Sequence, residues 1–181
     1  MQPIIILATL AIIAALWLVQ RHQRSDDSAA RRSTSTRTRT KRDTRSPYPG
    51  DFTGRVDVRY APAHDGRPDP GEVVWTWVPF EEDHARGKDR PVLLIGRDDP
   101  WLLGLQLSSN EHSADSAQEA ARGRHWLRIG AGAWDAQRRP SSVRLDRIVR
   151  VDPGDVRREG AMLARRTFDD VARSLSALHH W

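Results

Sequence analysis

Apolar and polar positions follow one another along the chain in four distinct patterns. Ile4 to Val19 is almost unbroken apolar sequence, with no charged side chain before Arg21. As a helix those 16 residues cover about 24 Å, and residues 1–20 reach roughly 30 Å, the thickness of a bilayer core. The pattern predicts a single membrane-spanning helix over 1–20. A cleaved signal peptide is the competing reading, but it lacks a basic segment at its start and a small-x-small site before the charges. From Ser25 to Gly50 the chain is rich in Ser, Thr and Arg and carries no apolar period. Such a composition does not bury enough surface to offset its ordering entropy, so a disordered basic tether is expected there.

Beyond the turn-rich stretch APAHDGRPDPG the pattern becomes that of short strands. GEVVWTWVPF (71–80), PVLLIGR (91–97), WLLGLQL (101–107), HWLRI (125–129) and SSVRLDRIVRV (141–151) are β-branched, aromatic or aliphatic runs. Prolines stand at the end of the first and the start of the second, where a missing N–H does least harm. The DDP turn between the second and third runs predicts a hairpin. Several short strands with long loops predict a mainly β fold, a small and strongly bent barrel. In the tail the period changes. Ala164, Phe168, Val171, Leu175 and Leu178 recur at four, three, four and three, the stripe of an amphipathic helix. Asp152, Pro153 and Asp155 supply a helix-start signature ahead of it. The expected organisation is therefore an anchor over 1–20, a basic and then Pro/Gly-rich linker over 21–69, and a barrel with a C-terminal helix over 70–181.

Charge refines this picture. The chain of 181 residues has a formal net charge of +5 and a pI near 10.5, which would ordinarily suggest a polyanionic partner. Residues 21–50, however, hold nine Arg/Lys and three Asp, whereas 51–181 hold 20 basic and 21 acidic residues. The basicity belongs to the tether, where it can rest on anionic headgroups at about 1 kcal/mol per cation, and it is no argument that the folded part binds nucleic acid. The arginines follow the apolar span and none precedes it, which predicts a cytoplasmic C-terminal domain. There is no cysteine, hence no disulfide and no thiolate metal site.

The candidate chemistry lies between residues 84 and 112. Arg90 precedes the proline of one strand and Ser108 follows the end of the next, so two adjacent strands can direct a guanidinium and a hydroxyl at one phosphate. At its normal acidity a serine hydroxyl is a poor base, which makes Ser108 a positioning donor and not a nucleophile. His84 and His112 are candidates for proton transfer, since histidine titrates near neutrality. Arg86 and Lys88, interleaved with Phe80 and Trp101, and Ser109 and Asn110 beside Ser108, are candidates for contact with a single-stranded nucleic acid, whose bases stack on rings while cations track phosphates. Trp75 and Trp77 share a strand face and are read as core before base-stacking platform. The run Glu81, Glu82, Asp83 and His84 could suggest a hard-metal cluster, but contiguous residues rarely converge on one ion, so no metal and no cofactor is expected.

The order GEVVWTWVPF, GKDRPVLLIG, LGLQLSSN, SSVRLDRIVRVDPGDV resembles the PemK/MazF family of toxin-antitoxin ribonucleases. Members open with a G-[DE]-[IV]-[VI]-W strand and continue to an R-P-V-[LV]-[VL] strand. They then pass a strand ending in T-[SA]-N-like residues and close on an L-D-x-[IV]-x-x-[VI] segment. The resemblance covers roughly Gly71 to Ala164. It implies an SH3-like β barrel that dimerises, is held in check by an antitoxin, and cuts single-stranded RNA without a metal. Carried over, the family's arginine falls on Arg90 and its strand-end hydroxyl on Ser108, where threonine is usual. The chain departs from the family in the loop EEDHARGKDR, where many members have a G-x-E-Q-like stretch, and in an extended loop over 109–124. A non-catalytic module binding nucleic acid or protein on the same barrel is the alternative function.

Overall fold

The computed structural model describes residues 47–63, 65–109 and 116–181. The expected anchor over 1–20 and most of the basic tether lie outside the described residues, as do Asn110 and His112. By its internal contacts the chain divides at Pro47, and Tyr48–Trp181 forms one unit.

That unit is built on six antiparallel strands: β1 (Glu72–Pro79), β2 (Gly87–Asp98), β3 (Trp101–Ser108), β4 (Trp126–Gly130), β5 (Ser141–Val151) and β6 (Arg158–Met162). The sheet order is β4-β5-β3-β2-β1-β6, so β4 and β6 are its edges. Irregularities in register interrupt four of its ladders, at 73/74, 94/96, 105/107 and 128/130. Extra residues of this kind bend a strand and increase its twist. The expected barrel is thus an open, curled sheet. Among the described residues two α-helices complete the unit, α1 (Ser116–Ala121) and α2 (Arg165–His179).

The five strands read from the sequence are present with ends shifted by a few residues, and the strands are apolar on both faces because both faces are buried. One face carries Leu93, Ile95, Leu103, Leu105, Leu107, Val143, Leu145 and Ile148, packed with Phe168, Val171 and Leu175 of α2. The stripe therefore docks on the sheet as its period predicts. At about 1.5–3 kcal/mol for each fully buried large aliphatic or aromatic side chain, it is the main hold on α2. The opposite face carries Val74, Val78, Val92, Leu94, Leu102, Val149 and Val151.

Three expectations need correction. The signature at Asp152 does not start α2. Asp152 caps a single 3₁₀ turn, Pro153–Asp155, by accepting from the Gly154 N–H at 2.8 Å, and β6 intervenes before the helix begins. Trp75 and Trp77 are half-buried and belong to neither apolar cluster. The Trp75 indole N–H instead donates to the Trp134 carbonyl at 2.8 Å.

The third correction concerns residues 48–62, expected as linker. They form an arm on the sheet. Phe52 bridges to Ile148 of β5, the Arg59 N–H donates to Ile95 of β2 at 3.0 Å, and Val56 is 5% exposed within the first cluster. Arg147 donates from Nε and Nη2 to the Asp51 carboxylate at 2.6 and 3.0 Å, and the Tyr60 hydroxyl donates to the Leu163 carbonyl at 2.8 Å. Within the arm Val56, Val58 and Tyr60 alternate with Asp57 and Arg59 and pack against the first cluster, and backbone bonds hold it as well as single side chains.

Candidate RNA-binding groove

Pro91 shapes the site. The β1–β2 ladder runs back to Gly87, but the β2–β3 ladder begins only at Val92, paired with Gln106. A proline has no N–H to give a ladder, which accounts for pairing on one side alone at this end of β2. Arg90 lies two residues before Val92 and Ser108 two residues after Gln106. Since strand faces alternate with a period of two, Arg90 and Ser108 share the face of Val92. Arg90 lies directly across from Thr76 of β1, and Ser108 across from Ser142 of β5.

Arg90 is half-buried, and among the described residues it has no ion pair or side-chain hydrogen bond. Its nearest sequence carboxylate, Asp89, is paired with Arg157 at 2.8 Å. Ser108 is 7% exposed. Arg86 and Lys88 converge on the Phe80 ring, their cationic centres 5.7 and 5.9 Å from its centroid. A cation-flanked ring of this kind suits a stacked base beside a phosphate. Ser109, next to Ser108, is half-buried.

The structure adds residues that the sequence reading did not select. Val143 and Leu145 point into the first apolar cluster, which turns Ser142, Arg144 and Asp146 to the opposite face, the face of Arg90 and Ser108. Arg144 is 8% exposed. Its Nε and Nη2 donate to the Asp146 carboxylate at 2.9 and 2.6 Å, and Nη2 also lies 3.0 Å from Glu81. Burial alone would lower the Arg144 pKa, but the bonds and charge of Asp146 and then of Glu81 outweigh it and hold it above its usual value. The second oxygen of Asp146 accepts from the His125 N–H at 2.7 Å. The sequence signal was present in S-V-R-L-D: an arginine and an aspartate two apart in an apolar strand must share one face.

Residues 81–86 do not gather around an ion. Glu81 turns to Arg144, whereas the His84 ring packs edge-on against Tyr48 of the arm, centroids 5.0 Å apart. Among the described residues no group of three His, Asp or Glu converges on a metal position. His84, expected near the phosphate as a proton carrier, is held by the arm and has no hydrogen bond to Arg90 or Ser108.

Against known proteins, the family model described as PemK-like, MazF-like toxin of type II toxin-antitoxin system matches residues 69–179. The chain belongs to this family. Two solved structures are similar to part of this PemK/MazF-like chain, both crystal structures of MazE-MazF from Deinococcus radiodurans. Form-II is 16% identical and covers 63% of this chain and 96% of that one, with a TM-score of 0.44. Form-III is 17% identical and covers 61% and 94%, with a TM-score of 0.43. No curated protein matches the chain in sequence. The family match begins at residue 69, so the arm over 48–62 lies outside it.

Proposed function

We propose that the protein is a metal-independent endoribonuclease that cuts single-stranded RNA in the groove between Arg90, Ser108 and the Arg144–Asp146 pair. The observation that carries this reading is Arg90 itself, a half-buried guanidinium with no carboxylate among the described residues, on the same face as a strand-end hydroxyl. Arg90 offers two parallel charged donors to the nonbridging oxygens of a phosphate, where charge grows as the ribose 2′-OH attacks. Ser108 supplies a further donor. The proton of the 2′-OH passes to the Asp146 carboxylate, the bond from phosphorus to the 5′-oxygen breaks, and that oxygen leaves with a proton from solvent. Arg144 holds the Asp146 carboxylate in place through two hydrogen bonds and adds positive charge beside the phosphate. The products carry 2′,3′-cyclic phosphate and 5′-hydroxyl ends.

An antitoxin partner and a homodimer come with the family reading. Membrane tethering through residues 1–20, with the barrel on the cytoplasmic side, rests on the uncharged apolar run and the arginines after it. The deciding experiment is cleavage of single-stranded RNA by residues 48–181 in EDTA, with end-group analysis of the products. RNA binding of equal affinity by wild type and Arg90→Ala, with no cleavage by either, would instead favour the non-catalytic binding module. Periplasmic activity of a reporter fused after residue 50 would contradict the cytoplasmic placement.

A further inference from the structure

The loop between β1 and β2 is held at two points, and neither hold serves the loop's own fold. Its internal bonds are complete without them: Phe80 N–H donates to the Arg86 carbonyl at 2.8 Å, Arg86 N–H to the Asp83 carbonyl at 3.0 Å, and Ala85 N–H to the Asp83 carboxylate at 3.0 Å. The first hold is Glu81 on Arg144, 3.0 Å. The second is His84 against Tyr48, whose hydroxyl donates to Asp51 at 2.5 Å.

The two partners of Arg144 differ. The Asp146 side chain is 15% exposed and comes from the same strand, two residues on, whereas the Glu81 side chain is 58% exposed and reaches in from the loop. Asp146 already supplies one carboxylate to the buried cation, so Glu81 brings a second anion to a guanidinium on the sheet face of Arg90 and Ser108. A half-exposed ion pair is weak, because solvent screens it and a long side chain must be ordered to form it. An RNA phosphodiester presents two nonbridging oxygens sharing one negative charge, as a carboxylate does, to the same donors.

We propose that Glu81 stands in for an RNA phosphate: in the free protein its carboxylate covers Arg144 and, with His84 pinned by Tyr48 of the arm, it straps residues 81–86 across the groove, so single-stranded RNA binds by displacing it. This rests on the reading of the groove as an RNA site. It goes beyond that reading by assigning a built-in competitor, and by giving the arm, which lies outside the family match, a part in access.

The test uses the full chain and a mixed-sequence 2′-O-methyl RNA decamer, which lacks the attacking hydroxyl and so reports binding without cleavage. Glu81→Gln should tighten binding about three- to fivefold at constant ionic strength, the scale of a half-exposed ion pair. Glu82→Gln removes the same charge one residue on and should give less than half that gain. In an Arg144→Gln background the gain from Glu81→Gln should vanish, and in an Arg144→Lys background, which keeps the charge and guards against misfolding, it should persist. Tyr48→Ala should tighten binding of its own accord.

The proposal is overturned if Glu81→Gln leaves affinity unchanged or weakens it, or if its gain survives Arg144→Gln in folded protein. It is equally overturned if the gain appears for polyglutamate and not for the decamer, which would make the site one for an acidic protein. Failure of Tyr48→Ala to tighten binding removes the arm from the strap. The expected cycle in a protein that cleaves nothing would sink the nuclease reading and leave this one standing.

Discussion

Arg90 and Ser108 each lie two residues beyond the pair Val92 and Gln106, on the strand ends that Pro91 leaves unzipped, and they face the same side of the sheet. If they clasp one scissile phosphate, their substitutions should differ in size. Arg90→Ala should cost about 10²- to 10³-fold in rate, by analogy with other oxyanion-stabilising groups, and Arg90→Lys should restore little because a point charge lacks the two-pronged donor geometry. Ser108→Ala should cost less than Arg90→Ala, and Ser108→Thr should be nearly neutral. Single-turnover cleavage of a labelled RNA measures all four. Cleavage that survives Arg90→Ala and disappears in EDTA would refute the mechanism.

Asp146 is the carboxylate assigned to take the 2′-OH proton. Asp146→Asn should lower the single-turnover rate by roughly 10²- to 10⁴-fold, the usual worth of a general base. It also leaves the buried Arg144 without its closest anion, so thermal unfolding must be measured alongside. A rate loss no larger than the lost folded fraction would remove Asp146 from the chemistry.

The arm should matter for stability, and the residues before it should not. Removing residues 1–47 should leave a cooperatively folded protein, whereas removing 1–62 should destabilise it, because Val56 leaves the core and Arg147, 6% exposed, loses Asp51. Asp51→Asn should cost about 1–3 kcal/mol, less than a fully buried pair because the Asp51 side chain is 24% exposed. Gly96→Ala should also loosen the arm, since an added Cβ would lie 2.9 Å from Val56 Cγ1 and 3.0 Å from the Asp57 carbonyl oxygen. Urea unfolding of each variant gives the comparison.

The same pair sets an acid dependence. Burial alone would raise the Asp51 carboxyl, but hydrogen bonds from Arg147 and Tyr48, with the charges of Arg147 and His84, outweigh it and hold it below its ordinary value. A carboxyl lowered in the folded state contributes stability above its unfolded pKa and loses it as pH falls through the folded one. The gap in stability between wild type and Asp51→Asn should therefore narrow as pH falls below about 4. A gap that widens on acidification would contradict the assignment. Burial, and then the bond to Asp51 and its charge, push the Tyr48 phenol above its usual range, so Tyr48 stays a neutral donor throughout this window.

What the sequence determined by itself is what short-range pattern encodes. Five strand runs, the docking stripe of α2 and the placing of Arg90 and Ser108 at neighbouring strand ends all follow from choices made within a dozen residues, where period and proline position act directly on the backbone. The family motifs lie in those same runs. Tertiary structure alone decided the rest. The short alternation of Val56, Val58 and Tyr60 does not by itself place the arm on the sheet, because Asp51 and Arg147 are 96 positions apart and their attraction exists only once the sheet is folded. The acidic and proline-bearing start at Asp152 was a sound local signal, but it closes a single 3₁₀ turn because β6 then pairs with β1, and a ladder outweighs a helix cap. Arg144 and Asp146 could be placed on one face from their spacing. That this face is the one carrying Arg90, and that Glu81 reaches it from another loop, depends on strand order and register, which no stretch of sequence states on its own.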